Sequence, residues 1–522
     1  MADVCDRAAV GSRGPMRPLR TVVSVVVAAL LAVSCAPAQR VDLGQGSGNL
    51  IAAIAGEPDQ LDPQKTSAYF SFEVLENVFD TLVEPDADLE MKPALAKSWT
   101  VSPDQLAWTF RLREGVTFHD GSPFTAADVV YSYRRIIDEK LSNVDKFSSV
   151  ADVTAPDDDT VVITVTRPTP NLLTNIGGFK GMAIVSRKNV ESGQIATHPI
   201  GTGPFSFVSQ KSGDSIVLKA NPAYWGGPPK IPGVTFEFIT EPSTALSALQ
   251  AGEIDWTDLV PTQRISQLKD DDSIHLAVTP SNDYWYLALN EAKAPWNDPR
   301  VRQAIAYGVD RKSIVQATSY GSATANQLAI PEGNPWYTPY DKYRYDTDEA
   351  RRLLDEAGVH PDRMDLLVTS EYPETVTAAQ VIADNLAPLG VTVNIRTVDF
   401  ATWLDEQNSG NFDMLMMGWL GNIDPDDFYY AQHHTDGANN AQKFSNPDVD
   451  RLLDAGRTET DRSVRQQDYA RAATIIADQV SYLYLYNPSV IQAWTTRLSG
   501  YEARRDGAIR FRAASLSGGE DQ

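Results

Sequence analysis

Cysteine is almost absent from this chain. Of its 522 residues only Cys5 and Cys35 are cysteines, and both lie near the N-terminus. The rest of the chain therefore cannot hold a disulfide framework, a cysteine-ligated metal or a cysteine nucleophile. Only two of the six histidines, His433 and His434, lie close together in the sequence. Neighbouring side chains point apart on a strand or helix, and no HExxH spacing occurs, so we expect no bound metal.

Basic residues are also scarce. The chain has 45 Lys and Arg against 69 Asp and Glu, a net charge of −24. Such a surface repels phosphates, and no basic stripe with interleaved aromatics is present, which excludes nucleic acid as a partner. The phosphate-loop pattern GxxxxGK[ST] and the nucleophile-elbow pattern GxSxG are missing too. We therefore expect no cofactor and no catalytic residue.

Long apolar runs are limited to one near the N-terminus. Residues 21–33 (TVVSVVVAALLAV) form an apolar run of 13 residues behind Arg13, Arg17 and Arg20. A bilayer-spanning helix needs about 20 residues, so this run is typical of a signal peptide. The basic segment allows translation to start at Met1 or at Met16.

The apolar run ends in Ala32-Val33-Ser34-Cys35, which resembles a bacterial lipobox. Ala32 stands where leucine is usual, with Leu31 one place earlier. We predict a signal peptide at residues 1–34, lipidation of Cys35 that anchors the protein to the outside of the cell membrane, and a flexible tether at residues 35–48. The alternative is a plain secretory signal in which the cysteine is incidental.

Beyond the tether, strand and helix patterns alternate to about residue 494. Apolar alternation predicts strands at residues 49–54, 106–113, 160–165, 205–208, 215–219, 364–369, 392–398, 413–419 and 482–486. Helical spacing with capping residues predicts helices at residues 72–80, 126–137, 346–356, 376–386, 402–407, 449–458 and 462–478. Strands separated by helices indicate α/β lobes with mixed sheets, and the length exceeds one compact core.

Eight segments then occur in a characteristic order. They are EPDQLDP (57–63), NVFDTLV (77–83), a long stretch from PALAKSW to DVVYSY (93–133), IGTGPF (200–205), NPAYW (221–225), LQAGEID (249–255), DPRVRQAIAYGVDR (298–311) and GWLGNIDPD (418–426). Together they resemble the family 5 extracellular solute-binding proteins, the group of dipeptide-, oligopeptide- and nickel-binding proteins. The resemblance covers essentially the whole chain after the signal peptide.

The resemblance implies a class II periplasmic-binding-protein fold with two lobes, a hinge and an extra domain. Lobe I would consist of residues 49–85, 198–285 and 487–511, the extra domain of 86–197, and lobe II of 286–486, with a disordered tail at 512–522. Two chain crossings near Trp285 and Tyr486 would form the hinge. The lobes would close over a ligand that contacts both, in a monomeric protein.

The resemblance also implies a ligand site, and we predict contacts at Thr66, Ser67, Gly203, Trp285, Trp419, Gly421, Asn422 and Asp424. In peptide-binding members an aspartate soon after the Gly-Trp pair takes the α-ammonium of the ligand. Here Asn422 occupies that position, in a loop one residue shorter. Asp424 either substitutes for the aspartate or caps the following helix, and we favour the cap.

A second anchor of the dipeptide type is missing. Its members carry an arginine for the ligand carboxylate in the loop after the strand at 364–369, whereas this chain reads SEYP at 370–373. The two changes favour longer peptides over a strict dipeptide. A neutral oligosaccharide is the alternative, because it could stack on aromatic faces. The candidates for such faces are Tyr284, Trp285, Trp296, Trp336, Tyr337, Trp403 and Trp494.

The resemblance thus implies a substrate-binding lipoprotein that delivers captured peptide to the membrane permease of an ABC importer. An enzyme is the second reading, as a glycoside or peptide hydrolase. Asp424 and Asp426 could serve as its carboxylate pair, but residues this close are typical of turns and caps. A third reading is an adhesin that reuses the fold.

Overall fold

The computed structural model describes residues 48–178, 182–420 and 423–517. The predicted signal peptide, Cys35 and the tether up to residue 47 lie outside the described residues, as do Gly421 and Asn422. In the described ranges no helix is long and apolar enough to cross a membrane.

Strands and helices alternate along most of the chain. In chain order the strands are β1 (Leu50–Ile54), β2 (Val83–Pro85), β3 (Met91–Pro93), β4 (Ala96–Val101), β5 (Ala107–Leu112), β6 (Val150–Asp157), β7 (Thr160–Val165), β8 (Phe205–Lys211), β9 (Ser215–Ala220), β10 (Gly233–Phe238), β11 (Trp256–Thr257), β12 (Ile274–Pro280), β13 (Tyr284–Leu289), β14 (Thr324–Ala325), β15 (Arg363–Thr369), β16 (Thr392–Val398), β17 (Met414–Trp419), β18 (Tyr482–Asn487), β19 (Ser489–Thr495), β20 (Leu498–Ser499) and β21 (Ser515–Leu516). The α-helices are α1 (Tyr69–Leu75), α2 (Ala126–Glu139), α3 (Leu172–Gly177), α4 (Arg187–Glu191), α5 (Pro242–Gln250), α6 (Ile265–Leu268), α7 (Pro299–Gly308), α8 (Arg311–Ser319), α9 (Thr347–Ala357), α10 (Pro373–Leu386), α11 (Phe400–Ser409), α12 (Pro425–His433), α13 (Pro447–Thr458) and α14 (Arg462–Asp478). Short 3₁₀ turns occur at Val144–Phe147, Thr262–Arg264 and Ala387–Leu389.

A seven-stranded mixed sheet has the order β12-β19-β11-β1-β10-β9-β8. Strand β1 pairs in parallel with β10 and β11, and the remaining pairs are antiparallel. The apolar sequence LIAAI makes β1 a central strand, because both of its faces are covered and nearly every residue is buried. The predicted hairpin of β8 and β9 is confirmed, and Gly213 in its turn adopts a φ of 71° that favours glycine.

A six-stranded mixed sheet has the order β14-β18-β13-β17-β15-β16. Every residue of β13 and β18 is buried, since these two apolar strands lie at the centre of the sheet. The rings of Tyr286 and Tyr482 stack between them at a centroid distance of 3.8 Å. Strand β15 pairs in parallel with β16 and β17. Together with helices α7–α14, this sheet builds the larger apolar core.

A four-stranded antiparallel sheet, β4-β5-β7-β6, lies within the predicted extra domain. Strand β5 alternates as its sequence predicts, with Trp108, Phe110 and Leu112 buried. Helix α2 covers this core and begins with a capping box between Thr125 and Asp128.

The chain passes between the two large sheets at two places. One is the segment 281–283 between β12 and β13, and the other is Pro488 between β18 and β19. The backbone N–H and the hydroxyl of Ser281 both donate to the Pro488 carbonyl, at 3.1 and 2.9 Å. The Asn487 side-chain amide donates to the carbonyls of Asp283 and Ala329, at 2.8 and 2.9 Å. The crossings lie beside Trp285 and Tyr486, and the lobe boundaries drawn there stay predictions.

Strand direction decides which edges of the two sheets meet. In the seven-stranded sheet β1, β10 and β11 end at the edge where β12 leaves for the first crossing. In the six-stranded sheet β15, β16 and β17 end at the edge where β18 leaves for the second crossing. We call the space between these two carboxyl edges the cleft. Ligands of open α/β sheets bind at such edges.

Two predictions of local structure are corrected. The helix expected at 72–80 is α1, which ends at Leu75 because the next backbone pairs with another segment: Gly203 and Phe205 donate to the carbonyls of Val78 and Asn77. The tail expected to be disordered from residue 512 is ordered to 517, since β21 pairs with β20 and Arg512 binds Glu84. Residues 518–522 lie outside the described part.

We expect that Asn487→Ala weakens the joint between the crossings. The substitution leaves two buried carbonyls without their amide donor, which should lower the free energy of unfolding by about 1–3 kcal/mol. Urea unfolding followed by circular dichroism measures the change. The matched control is Asn411→Ala at an exposed position, which should change it by about 0.5 kcal/mol or less. Equal effects of the two substitutions would contradict this role of Asn487.

Candidate ligand-binding cleft

Trp285 lies at the carboxyl edge of the six-stranded sheet. Its β13 backbone pairs with Gly418 on one side and with Tyr486 on the other. A Cβ atom on Gly418 would lie 3.0 Å from the Trp285 ring, so a larger residue there would force the ring to shift. Tyr486 stacks near Trp285 at 6.4 Å and 27°, and Tyr372 meets it edge-on at 6.1 Å and 66°. The geometry therefore places Trp285 in an aromatic group at the cleft.

Trp419, the last residue of β17, is half-buried and lines a cavity of about 270 Å³. Lys146 and Asn175 line the same cavity from the segment 86–197, and Asp427 and Arg457 line it from the segment 286–486. Trp419 is thus positioned where these two segments approach each other. The next residues of its loop, Gly421 and Asn422, lie outside the described ranges.

Thr66 and Ser67 precede helix α1. Thr66 is fully buried, and its hydroxyl donates to Asp59 at 2.6 Å. The Ser71 hydroxyl donates to the same carboxylate oxygen at 2.6 Å, so Asp59 ties the loop to the helix. The Thr66 side chain therefore stabilises the loop before α1, whereas the Ser67 side chain is exposed.

Gly203 brings two backbones into direct contact. A Cβ atom there would lie 2.6 Å from the Val78 carbonyl carbon and oxygen, a distance that no side chain tolerates. The Gly203 carbonyl accepts hydrogen bonds from the Asn221 side-chain amide at 3.1 Å and from the His119 ring at 2.9 Å. This geometry explains the glycine by packing, without a ligand.

Asp424 caps helix α12, as the sequence favoured. Its carboxylate accepts from the Asp426 backbone N–H at 3.0 Å, with Pro425 in the first turn and Asp427 completing a capping box. Arg465 from α14 donates to both carboxylate oxygens, at 2.5 and 2.8 Å, and the two side chains are only 5% and 4% exposed. A carboxylate engaged in this way has little capacity left for a ligand ammonium.

Two ion pairs that the sequence did not reveal join the segments 86–197 and 286–486. Lys146 forms an ion pair with Asp427. Burial alone would lower the pKa of Lys146, but the negative charge of Asp427 raises it above the usual value. Arg462 binds Glu90 at 3.1 Å. These residues occur in no motif and are far apart in the chain, so only the fold brings them together.

The seven-stranded sheet contributes a pair of acidic side chains. Asp258 follows β11 at the carboxyl edge, and its carboxyl group lies against that of Glu73 from α1. Glu73 is 2% exposed, and neither of its oxygens accepts a hydrogen bond from a donor in the described ranges. Burial raises the pKa of both groups, and the charge of Asp258 raises that of Glu73 further. Both carboxyl groups are therefore harder to ionise than ordinary carboxylic acids.

Most aromatic residues considered as sugar-stacking faces lie in cores. Tyr284, Trp296 and Trp403 are at most 2% exposed. Trp336 is packed beneath the guanidinium groups of Arg462 and Arg465, at 5.4 and 5.0 Å, and Trp494 packs against Tyr501. Tyr337 is half-buried against the larger core. Trp285 also belongs to the larger core and is 6% exposed, although its strand position places it at the carboxyl edge of the six-stranded sheet. No group of residues in the described ranges is arranged to hold a metal ion.

We expect Asp424→Asn to destabilise the fold and to leave ligand affinity unchanged. Asparagine keeps the cap, but the buried Arg465 loses its counter-charge, at a cost of about 3–5 kcal/mol. Urea unfolding measures this cost. Asp461→Asn is the matched control, because Asp461 caps α14 at an exposed position. If ligand affinity fell while the free energy of unfolding stayed constant, Asp424 would bind the ligand and not stabilise the fold.

We also expect Glu73→Gln to stabilise the protein increasingly as the pH rises. The raised pKa means that the native state binds more protons than the unfolded state, so the free energy of unfolding of the wild type falls with rising pH. Below the usual glutamate pKa both states are protonated and the substitution should have little effect. Calorimetric melting from pH 4 to pH 8 measures the difference, and Glu253→Gln at an exposed position is the control. A stabilisation independent of pH would contradict the raised pKa of Glu73.

Comparisons with known proteins agree with this geometry. The family model described as "Bacterial extracellular solute-binding proteins, family 5 Middle" matches residues 90–440. The probable D,D-dipeptide-binding periplasmic protein DdpA of Escherichia coli K12 is 28% identical over 469 residues, which cover 87% of this chain and 91% of the relative. Heme-binding protein A of Haemophilus influenzae is 28% identical over 483 residues, which cover 85% and 87%.

A solved structure supports the same relationship. The periplasmic binding protein DppA of Helicobacter pylori, associated with an ABC transporter and bound to the peptide STSA, is similar with a TM-score of 0.77 and 26% identity. The match covers 90% of this chain and 98% of that one. Since the family model matches well over half of the sequence, the chain belongs to the family 5 bacterial extracellular solute-binding proteins.

Proposed function

We propose that this protein is the substrate-binding lipoprotein of an ABC importer and captures peptides by closing its lobes over them. The observation that carries the proposal is the arrangement of the two large sheets. Their carboxyl edges meet at the two crossings, so that one ligand can contact both. A ligand that binds both edges stabilises the closed state, and a permease can recognise that state.

The ion pairs at the rim support closure as the working motion. Lys146–Asp427 and Arg462–Glu90 connect the segments 86–197 and 286–486, which opening of the lobes would draw apart. Because each pair is partly exposed, its contribution is modest and closure can be reversed. The ligand then decides which state predominates.

Peptides longer than two residues suit the cleft better than dipeptides. The two charge anchors expected for a dipeptide are not available: Arg465 occupies Asp424, and residues 370–373 contain no arginine. Binding then depends on backbone hydrogen bonds and aromatic packing, which do not require clamped ends. Relatives that bind a D,D-dipeptide or heme show that similarity alone does not select the ligand.

The N-terminal sequence completes the proposal. Cleavage before Cys35 and acylation of its thiol would tether the binding domain to the outer face of the cell membrane, next to its permease. Residues 35–48 would form a flexible linker that sets how far the domain can move from the membrane. We propose a monomeric binding domain with no cofactor.

We expect defined peptides to close the protein, and Lys146→Met to weaken that response. Tri- to pentapeptides should reduce the radius of gyration in small-angle scattering and remain bound in native mass spectrometry, whereas dipeptides should bind less tightly. Removing the Lys146–Asp427 pair should lower peptide affinity roughly fivefold, because it contributes about 1 kcal/mol to the closed state alone.

The control variant is Lys188→Met. Lys188 pairs with Asp120 at 3.2 Å within the segment 86–197, so its loss should leave affinity unchanged. Turnover of the peptides, or an unchanged radius of gyration with every peptide, would contradict the proposed function.

A further inference from the structure

We propose that Arg167, together with the side-chain amides of Asn171 and Gln432, forms a subsite that binds a carboxylate group of the ligand. The inference rests on the proposed function and places a charge anchor in the segment 86–197, away from residues 370–373, where the arginine of the dipeptide type is missing. None of the eight sequence segments that resemble the family contains any of these three residues.

All three side chains line the cavity of about 270 Å³ that Trp419 also lines. Trp419 is the last residue of β17, so the cavity adjoins the carboxyl edge of the six-stranded sheet. Arg167 and Asn171 line it from the turn between β7 and α3, and Gln432 lines it from α12. About nine water molecules would fill this volume, which therefore has room for the end of a bound peptide.

Among the described residues that line this cavity, Arg167 is the one cation without a carboxylate partner. Lys146 pairs with Asp427, and Arg457 pairs with Asp426 at 3.2 Å. Arg167 is half-buried, yet its guanidinium group forms neither an ion pair nor a hydrogen bond with any residue in the described ranges. A guanidinium group presents its N–H donors in a planar fork that matches a carboxylate. A partly desolvated guanidinium group without a partner therefore gains from binding an anion.

Two buried amide groups of the same cavity also lack hydrogen bonds. Asn171 is only 6% exposed, and its side chain bonds to no residue in the part of the chain that the structure describes. Gln432 is 3% exposed; its Nε2 donates to the Asp427 carbonyl at 3.2 Å, whereas its Oε1 accepts from no described residue. Buried polar groups normally have partners, so these amides indicate a polar guest. The Asn171 amide can donate to the carboxylate, and the Gln432 oxygen can accept from a peptide N–H beside it.

The remaining charged residue of the cavity wall, Asp145, does not cancel this preference. Asp145 is exposed, so water and salt screen its charge more than they screen that of the half-buried Arg167. The two ion pairs, Lys146–Asp427 and Arg457–Asp426, contribute no net charge. Arg167 therefore sets the sign of the ligand group that the cavity accepts.

A peptide offers a carboxylate from two sources, its C-terminus or an aspartate or glutamate side chain, and the probes separate them. Isothermal calorimetry would measure Ala-Ala-Ala, Ala-Ala-Ala-amide, Ala-Glu-Ala and Ala-Gln-Ala against the wild type and Arg167→Gln. Amidation removes the terminal charge, and glutamine removes the side-chain charge, each at nearly constant size. We expect one of the two removals to lower wild-type affinity about tenfold, as a charge-assisted hydrogen bond predicts.

In Arg167→Gln the same removal should change affinity less than twofold, with an unchanged melting temperature because Arg167 has no partner in the described scaffold. The matched control is Arg471→Gln, which removes the same charge from an exposed position of α14 and should discriminate like the wild type.

Three results would overturn this inference and leave peptide capture intact. They are equal discrimination by the wild type and Arg167→Gln, wild-type binding that ignores the ligand carboxylate, and equal loss of discrimination in Arg471→Gln. Failure of Arg167→Gln to fold would assign the guanidinium group to the scaffold and overturn the inference as well. If none of these peptides binds the wild type, both the inference and the proposed function are overturned.

Discussion

The joint between the two crossings is the constraint on which the rest of the molecule depends. Segment 281–283 and Pro488 are the places where the chain passes between the large sheets, and the Pro488 carbonyl holds Ser281 through two hydrogen bonds. Strands β12 and β18, which leave for the crossings, run in the same sense as the parallel strands of their own sheets. The carboxyl edges of both sheets are therefore brought together. The same geometry makes the cleft and allows it to open, since the link is narrow and the sheets themselves are rigid.

The sequence predicted the elements of the fold far better than the contacts between them. Strands at 160–165 and 392–398 and the helix at 462–478 match the observed bounds, because apolar periodicity and caps are local signals. The cap at Asp424 was also predictable, from Asp-Pro followed by acidic residues. Its partner Arg465 was not, because an ion pair between two helices depends on how those helices pack. Helix α1 was overextended for the same reason: the competing bonds come from Gly203 and Phe205.

Several predicted site residues also have structural roles, and their contact with a ligand stays a prediction. Thr66, Gly203 and Asp424 lie near the cleft or its loops, yet each has a complete structural explanation in its hydrogen bonds or packing. Residues within recognisable motifs are often those that the scaffold requires.

The distribution of paired and unpaired charge suggests how closure is linked to ligand. At the rim, Asp427 and Glu90 have cationic partners that engage when the segments meet. Inside, neither carboxyl oxygen of Glu73 has a hydrogen-bond partner in the described part of the chain. In the proposed function, an acidic group buried without a partner opposes closure of the empty protein and the rim pairs favour it, so the ligand decides which state predominates.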